Sequence, residues 1–250
     1  MRVLKVSLEG DITSFRYPLF MVGVQLSYEM PPPATIYGHI CSALGEWLDD
    51  PAGVQFAYRF TYEAKLQDLE HIHVLSPSSG KLAKGSSLRK VLEGNVQPFK
   101  RELLYRPRLT LYLNHPEWEP AFRSPRYPVV LGRSQDLCMY TDVRVIELAQ
   151  QERAYFEHTL IPFDYSLKLP QGIVVHMPRF LDYRQNRYPT FARYVVLKQR
   201  VFTDDERIIY FGQRPDYFWV DPTSPEINGA RMGLIFSTFQ QGKNEFSDER

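Results

Sequence analysis

The sequence contains little cysteine and almost no net charge. Of its 250 residues, only Cys41 and Cys138 are cysteines, too few for a disulfide framework or a zinc site with four cysteine ligands. Two thiols without a signal-peptide pattern suit a reducing compartment, so we expect the chain in the cytoplasm. The 30 Lys and Arg residues and the 29 Asp and Glu residues leave a net charge of +1, which argues against coating duplex DNA by charge alone.

Long apolar runs and common catalytic motifs are also absent. No segment approaches the roughly 20 apolar residues that cross a membrane, so no membrane partner is expected. The GxSxG, P-loop, GxGxxG and HExxH patterns do not occur. His71 and His73 share one face of a predicted strand, but no third ligand stands at metal spacing. We therefore expect neither a metal nor another cofactor.

The residues that are present predict an α+β domain. Apolar residues make up 44% of the chain and aromatic residues 14%, enough to form a core and to stack on bases. Alternation over residues 3–9 and 54–64 predicts two strands. Helical spacing of apolar residues predicts a helix over about 34–48. Strands near 109–113 and 127–131, with a short helical segment near 116–122, complete the order β-α-β-β-α-β.

This order is typical of a ferredoxin-like or RRM-like domain. Such a sheet has one face covered by helices and one face open for a ligand. We place this domain at residues 1–133, a β-rich C-terminal extension at 134–240 and a polar tail at 241–250.

Two segments indicate anion binding. The predicted helix begins after three prolines at 31–33, and free N–H groups at a helix start can hold a phosphate. The alternative is an ordinary core helix entered through a proline turn. Residues 77–107 combine Pro, Gly and Ser with seven basic residues and two acidic ones, which predicts an exposed basic excursion from the sheet. The alternative is a solvated loop without a ligand.

Two further positions suggest contact with a ligand. Gly132 ends a predicted strand and would let a ligand backbone approach, while the planar guanidinium of Arg133 suits phosphate or guanine. The alternative is a tight turn with a surface salt bridge. His39, one turn inside the helix, is a candidate general base for RNA cleavage. Its alternative is a surface or packing role.

Three motifs in one order carry a family resemblance. Residues 14–18 read Ser-Phe-Arg-Tyr-Pro, residues 31–38 read Pro-Pro-Pro-Ala-Thr-Ile-Tyr-Gly and residues 43–46 read Ala-Leu-Gly-Glu. Residues 131–137 then read Leu-Gly-Arg-Ser-Gln-Asp-Leu. Together they resemble the fifth Cas subunit family (Cas-five), RAMP-superfamily members of the type I CRISPR surveillance complex, Cascade. The similarity covers mainly residues 1–137 and is closest to the type I-B subunits.

The resemblance implies a ferredoxin-like RAMP fold with a long hairpin, the thumb, at about 77–107 that inserts into the subunit assembly. It implies that the protein caps the 5′ handle of the CRISPR RNA. The implied partners are a backbone subunit (Cas-seven) and a large subunit (Cas-eight type), with target DNA nearby. The RNA-binding residues that it implies are Phe15, Arg16, Thr35, Tyr37, Gly38, Lys81, Lys84, Lys100, Arg101, Arg106, Gly132, Arg133, Ser134 and Gln135.

The resemblance also bears on catalysis. One branch of the family, from type I-C systems, cleaves precursor RNA with Tyr, Lys and His, the last two adjacent. This chain has no Lys-His pair and carries Lys100-Arg101 in its excursion, so we expect a non-catalytic subunit, with cleavage left to a separate endonuclease (Cas-six). The alternatives are a metal-independent endoribonuclease acting on CRISPR repeats through His39, and an RRM-like RNA binder outside CRISPR biology.

Overall fold

The computed structural model describes residues 1–18, 23–81, 85–87, 89–163, 167–168, 172–206, 208–210 and 215–240. Its helices are α1 (Pro33–Leu44) and α2 (Glu119–Arg123), with 3₁₀ turns at Pro116–Trp118 and Tyr183–Gln185. The strands of the N-terminal half are β1 (Arg2–Gly10), β2 (Ile12–Thr13), β3 (Val24–Gln25), β4 (Gln55–Thr61), β5 (Ala64–Lys81), β6 (Arg89–Tyr105), β7 (Arg108–Leu113) and β8 (Cys138–Glu147).

The C-terminal half contributes short strands and one long hairpin. Its strands are β9 (Ala149–Gln151), β10 (Ala154–Phe156), β11 (Thr159–Pro162), β12 (Leu167–Lys168), β13 (Ile173–Asp182), β14 (Tyr188–Leu197), β15 (Val201–Phe202), β16 (Ile209–Tyr210), β17 (Phe218–Val220), β18 (Arg231–Met232) and β19 (Ser237–Thr238). The hairpin is β13 and β14, which are paired antiparallel along their lengths.

The predicted ferredoxin-like order is confirmed. Strands β4, β7, β1 and β8 lie side by side in that order, and every neighbouring pair is antiparallel. Helix α1 connects the first of these strands in the chain to the second, and α2 connects the third to the fourth. Leu4, Val6 and Leu8 of β1 are buried in the same core cluster as Ile36 and Ile40 of α1. The apolar face of β1, predicted from its alternation, therefore packs against the apolar face of α1, predicted from its helical spacing.

The fourth strand is not where we predicted it. Residues 127–131 form only an isolated bridge, between Val130 and Leu137, and the strand that pairs with β1 is β8. Pro128 has no N–H for a sheet hydrogen bond, and only three residues lie between it and Gly132. Strand β8 has ten residues with which to pair. The ferredoxin-like sheet therefore continues past the expected boundary at residue 133.

The excursion from the sheet is a hairpin longer than predicted. Strands β5 and β6 pair from Ala64 with Tyr105 out to Lys81 with Arg89, with irregularities after Val74 and after Pro77. Residues 69–75 are part of β5. Pro77 and Pro98 are tolerated because a two-stranded hairpin has free edges at which a missing N–H costs little.

The second face of the sheet is covered, so the prediction of an open face is wrong. Val3, Ala57 and Tyr112 point away from the helices and are buried against Tyr155 and Met232 of the C-terminal half. A buried ion pair joins the same two parts, with Lys5 Nζ 2.6 Å from Asp221 Oδ2. The C-terminal half thus packs on the surface where an RRM-like domain would expose its sheet.

The C-terminal half also extends the sheet itself. Strand β4 pairs with β11 through Arg59 and Thr159, and with β19 through Phe56 and Ser237. Strands β14 and β13 follow β11, giving a sheet of eight strands. The sheet forks at β4, because β11 and β19 occupy different parts of the same edge. Within the described residues, no helix is long and apolar enough to span a membrane.

Candidate functional site

Four chain segments meet at the base of the β5–β6 hairpin. Strand β2 pairs antiparallel with the C-terminal end of β6, and β3 runs parallel to Lys100 and Arg101. The Thr13 hydroxyl donates a hydrogen bond to the Leu131 carbonyl, and the Ser14 hydroxyl donates to the Glu102 carbonyl. We call this junction the hairpin-base corner; it comprises residues 13–16, 23–27, 100–104 and 130–136.

Gly132 is the tightest point of the hairpin-base corner. Its backbone has φ +91°, and a Cβ atom there would lie 2.6 Å from Thr13 Oγ1 and 2.7 Å from the Ser14 carbonyl oxygen. Only glycine combines this left-handed backbone with so close an approach. The loop that carries Arg133, Ser134 and Gln135 is therefore pressed directly onto β2.

Arg133 and Arg101, both predicted to bind RNA, belong to an ion-pair network. Arg133 donates from Nη2 to Asp136 Oδ1 at 2.7 Å and from Nη1 to Glu70 Oε1 at 2.7 Å. Arg101 Nε donates to Glu70 Oε2 at 2.8 Å. The hydrogen bonds that Arg133 donates to the Asp136 carboxylate raise the pKa of Arg133. Two guanidinium groups and two carboxylates give a neutral cluster, which fastens the loop to the hairpin and leaves Arg133 no uncompensated charge.

Two other predicted cations are exposed and available. Arg16 and Lys100 are exposed, and neither has a charged partner within the part of the chain that the structure describes. Both flank the hairpin-base corner, since Arg16 bridges to Ser27 and the Lys100 N–H donates to the Gly23 carbonyl at 2.9 Å. Ser134 and Gln135 are exposed on the loop that follows Gly132. This group can contact phosphates and sugar or base edges.

The remaining predicted basic residues lie along the hairpin. Arg106 is exposed and 3.5 Å from Glu63 Oε2, a distance at which an exposed pair contributes little. Lys81 is the last residue of β5, and the structure describes its backbone. Lys84 lies outside the described residues.

Phe15 and Tyr37 are core residues, which corrects their assignment to the RNA surface. Phe15 is 2% exposed and packs edge-on against Phe60, with ring centroids 5.5 Å apart. Tyr37 is 1% exposed and contacts Phe180 and Phe239 at centroid distances of 4.8 and 5.3 Å. Neither ring can stack on a base without opening the core.

The start of α1 is also less open than the sequence suggests. The N–H groups of Thr35 and Ile36 both donate to the Pro32 carbonyl, at 2.8 and 3.2 Å. Residues 31–34 are buried, and the prolines among them have no N–H. The first turn therefore offers little to a phosphate. Thr35 is half-buried, and Gly38 is exposed on the outer side of the helix with open space around its Cα.

His39, the candidate base of the alternative enzyme hypothesis, is a buried packing residue. It is 5% exposed, with Nδ1 3.0 Å from the Val130 carbonyl and Nε2 2.9 Å from the Tyr140 hydroxyl. We assign the proton to Nδ1, which donates to Val130, so that Nε2 accepts from Tyr140. Burial lowers the pKa of His39. Both nitrogens are occupied and neither reaches a solvent-accessible surface.

This environment makes the stability of the fold depend on pH. Because the pKa of His39 is lower in the folded protein than when unfolded, the unfolded state binds more protons below about pH 6.5. We expect the free energy of unfolding to fall as the pH drops from 7.5 to 5.5, and the fall to be smaller in His39→Gln. Urea titrations at both pH values measure this. The exposed His71→Gln is the control, and an equal pH response in parent and His39→Gln would contradict the assignment.

The two histidines of the hairpin lie on one strand, β5. His71 and His73 are exposed, with ring centroids 6.4 Å apart. Within the portion of the chain that the structure covers, no group of three or more His, Cys, Asp or Glu residues lies close enough to hold a metal ion.

Sequence reasoning missed Glu70, the carboxylate that pairs with both Arg133 and Arg101. Glu70 lies 63 residues from Arg133 and 31 from Arg101 in the chain. The hairpin register places Glu70 opposite Phe99 and Asp68 opposite Arg101. This register could have indicated that Glu70 and Arg101 lie close together. Deriving it from the sequence requires the bounds of the hairpin, and the Pro and Gly residues made those bounds hard to predict.

Comparisons with known proteins agree with the geometry. Residues 3–196 match a family model described as CRISPR-associated protein (Cas_Cas5). No curated protein matches the chain. Its solved structural neighbours include the "CRISPR RNA-guided surveillance complex", at 16% identity and TM-score 0.51, covering 80% of this chain and 90% of that one. They also include a CRISPR protein from Archaeoglobus fulgidus, at 13% identity and TM-score 0.51, covering 95% and 100%. At such identities these structures support the fold.

Proposed function

The chain belongs to the Cas-five family of CRISPR-associated proteins, and from this premise we propose that it is a non-catalytic RNA-binding subunit of a type I CRISPR surveillance complex. In this role it holds the 5′ handle of the CRISPR RNA at the hairpin-base corner. It contacts a backbone subunit (Cas-seven) and a large subunit (Cas-eight type), close to the target DNA, in the cytoplasm.

The observation that carries the proposal is the exposed group at the hairpin-base corner. Arg16 and Lys100 supply uncompensated positive charge, which suits the phosphates of an RNA strand. Ser134 and Gln135 supply exposed donors and acceptors for bases or 2′-hydroxyls. The network of Arg133, Asp136 and Glu70 holds this loop in one position, so the surface is formed before RNA arrives.

The buried state of His39 supports holding the RNA rather than cleaving it. Metal-free cleavage needs a general base within hydrogen-bonding reach of a 2′-hydroxyl. The nitrogens of His39 are bound to Val130 and Tyr140 inside the protein.

The hairpin supports a place within a larger assembly. Several large apolar side chains on its strands are exposed: Leu66, Leu69, Ile72, Val74, Leu75 and Val96. Exposed apolar surface of this kind marks interfaces with other proteins, and a two-stranded ribbon is marginally stable alone. In the proposed role, neighbouring subunits cover these side chains.

The proposal is tested by removing the two free cations. We expect Arg16→Ala combined with Lys100→Ala to weaken binding of a CRISPR RNA that carries its 5′ handle. Because each phosphate contact adds about one unit to the salt dependence, the slope of log affinity against log salt should fall by about two. Filter binding of the full-length protein over a salt series measures both quantities.

Arg123→Ala is the matched control, since among the described residues this exposed arginine pairs with Glu119 on α2 and with no other carboxylate. An unchanged slope in the double variant would remove the hairpin-base corner from the proposal. The same reactions are run in EDTA and the RNA is sized on a gel. Shortened RNA would favour the metal-independent endoribonuclease instead.

A further inference from the structure

A groove in the C-terminal half lies apart from the hairpin-base corner. It has a volume of about 880 Å³ and sits where the sheet forks, between β14 and the segment 236–240. Strand β11 pairs with β14 only from Tyr194 to Leu197, so the N-terminal part of β14 borders the groove. Ligand pockets commonly measure about 300–1,000 Å³. The groove can therefore receive a short segment of a ligand.

Three aromatic rings line the groove with much of their surface exposed. Phe163 is 41% exposed, Phe191 39% and Tyr188 66%. Aromatic residues bury large areas in cores and interfaces, so three exposed rings in one groove indicate a binding role. Each ring can stack on a nucleobase, because every base has a π-face.

The same region carries a local excess of positive charge. Between residues 173 and 200 there are six Lys and Arg residues and one acidic residue, Asp182, whereas the whole chain has a net charge of +1. Four of the six have partners elsewhere: Lys198 with Glu29, Arg200 with Glu157, Arg184 with Asp49, and Arg179 with Thr238. Arg187 and Arg193 have no carboxylate partner within the described ranges.

Arg193 is a cation in direct contact with one of the three rings. Its guanidinium carbon lies 4.3 Å from the centroid of the Phe163 ring, a cation–π contact. Among the described residues no side-chain hydrogen bond occupies its N–H groups, so they can donate to a phosphate. Arg179 Nε donates to the Thr238 carbonyl at 3.0 Å and Nη2 to Thr238 Oγ1 at 2.9 Å. These two bonds tie β13 to β19 and hold the two sides of the fork at a set distance.

We infer that this groove binds a single-stranded nucleic-acid segment, with bases stacked on Tyr188 and Phe191 and a phosphate at Arg193. The site goes beyond the proposed handle site and shares no residue with it. A duplex hides its base faces in its own stack, so exposed rings select unpaired strands. An acidic peptide would use the positive charge but leave the rings without a partner. RNA and DNA strands present the same chemistry, and the experiment distinguishes them.

The test uses photocrosslinking of the full-length protein. The probes are a short oligoribonucleotide containing 5-iodouridine and the corresponding DNA oligonucleotide containing 5-iododeoxyuridine. Crosslinks on the peptides that contain Phe163, Tyr188 or Phe191, found by mass spectrometry, support the groove, and the probe that reacts identifies the strand. Crosslinks confined to the hairpin-base corner, or none, would overturn it.

Variants give a second measurement. Tyr188→Ala combined with Phe191→Ala should weaken oligonucleotide binding at the groove by about 30-fold or more, and Arg193→Ala should weaken it too. Arg184→Ala removes a cation from the same hairpin outside the groove and should retain the crosslinks. Arg16→Ala with Lys100→Ala should also retain them, which separates this site from the proposed function. Displacement of the probe by polyglutamate, with no effect of the ring variants, would point to an acidic peptide and overturn the inference.

Discussion

Replacing Asp221 by alanine is expected to lower the free energy of unfolding by about 3–5 kcal/mol, the cost of leaving one member of a buried ion pair alone. The Asp221 carboxylate is fully buried and lies 2.6 Å from Lys5 Nζ. It also accepts a hydrogen bond from the Tyr112 hydroxyl at 2.7 Å. Without it, the Lys5 ammonium and the Tyr112 hydroxyl remain buried on the second face of the sheet. Urea denaturation at neutral pH measures the loss.

The carboxylate is ionised under these conditions. Burial raises the pKa of Asp221, but hydrogen bonds from Lys5, Thr223 and Tyr112 outweigh burial and hold the pKa below its ordinary value. Asp142→Asn is the matched control, because Asp142 pairs with Arg144 on the surface, where such a pair contributes at most about 1 kcal/mol. A loss in Asp221→Ala no larger than in this control would show that the two halves are not joined through Lys5.

The second large effect is expected at Gly132. Gly132→Ala should lower the free energy of unfolding by about 3 kcal/mol, because backbone strain and overpacking each cost about 1–3 kcal/mol. The new Cβ would meet Thr13 Oγ1 at 2.6 Å and the Ser14 carbonyl oxygen at 2.7 Å, on a backbone with φ +91°. The backbone oxygen belongs to the chain next to β2 and has little freedom to move. Chemical denaturation measures the change.

Gly38→Ala is the control, and here we expect the free energy of unfolding to rise. Gly38 lies inside α1 with nothing within 4 Å of a Cβ position, so alanine should stabilise the fold by about 0.5–1 kcal/mol. Equal effects of the two substitutions would mean that the close approach at Gly132 is relieved by movement of the loop.

The elements that could be predicted are those with a regular burial pattern. The alternation in β1 and the helical spacing in α1 each depend on one apolar face, which can be read from a few neighbouring residues. The hairpin did not have such a pattern. Strands β5 and β6 project from the sheet with exposed apolar residues on both faces, so neither alternation nor burial marked their bounds.

The resemblance implied a handle-binding surface that includes Arg16 and the loop after Gly132, and it placed Lys100 in the thumb. The structure brings these three segments together at the hairpin-base corner. Phe15 and Tyr37 were assigned to that surface by the family resemblance, and aromatic rings suit stacking on bases. Burial decides between stacking and core packing, and burial depends on Phe60 and Phe180, which are distant in the chain.

The sequence by itself determined the α+β class, the order of the ferredoxin-like elements and the resemblance to the Cas-five family, because these depend on local periodicity and on short motifs. Only the tertiary structure decided which cations are free. Arg133 is compensated by Glu70, which is 63 residues away, while Arg16 and Lys100 are exposed without a charged partner among the described residues. The availability of a charge depends on the distance to its neighbours in space, and no local pattern contains that distance.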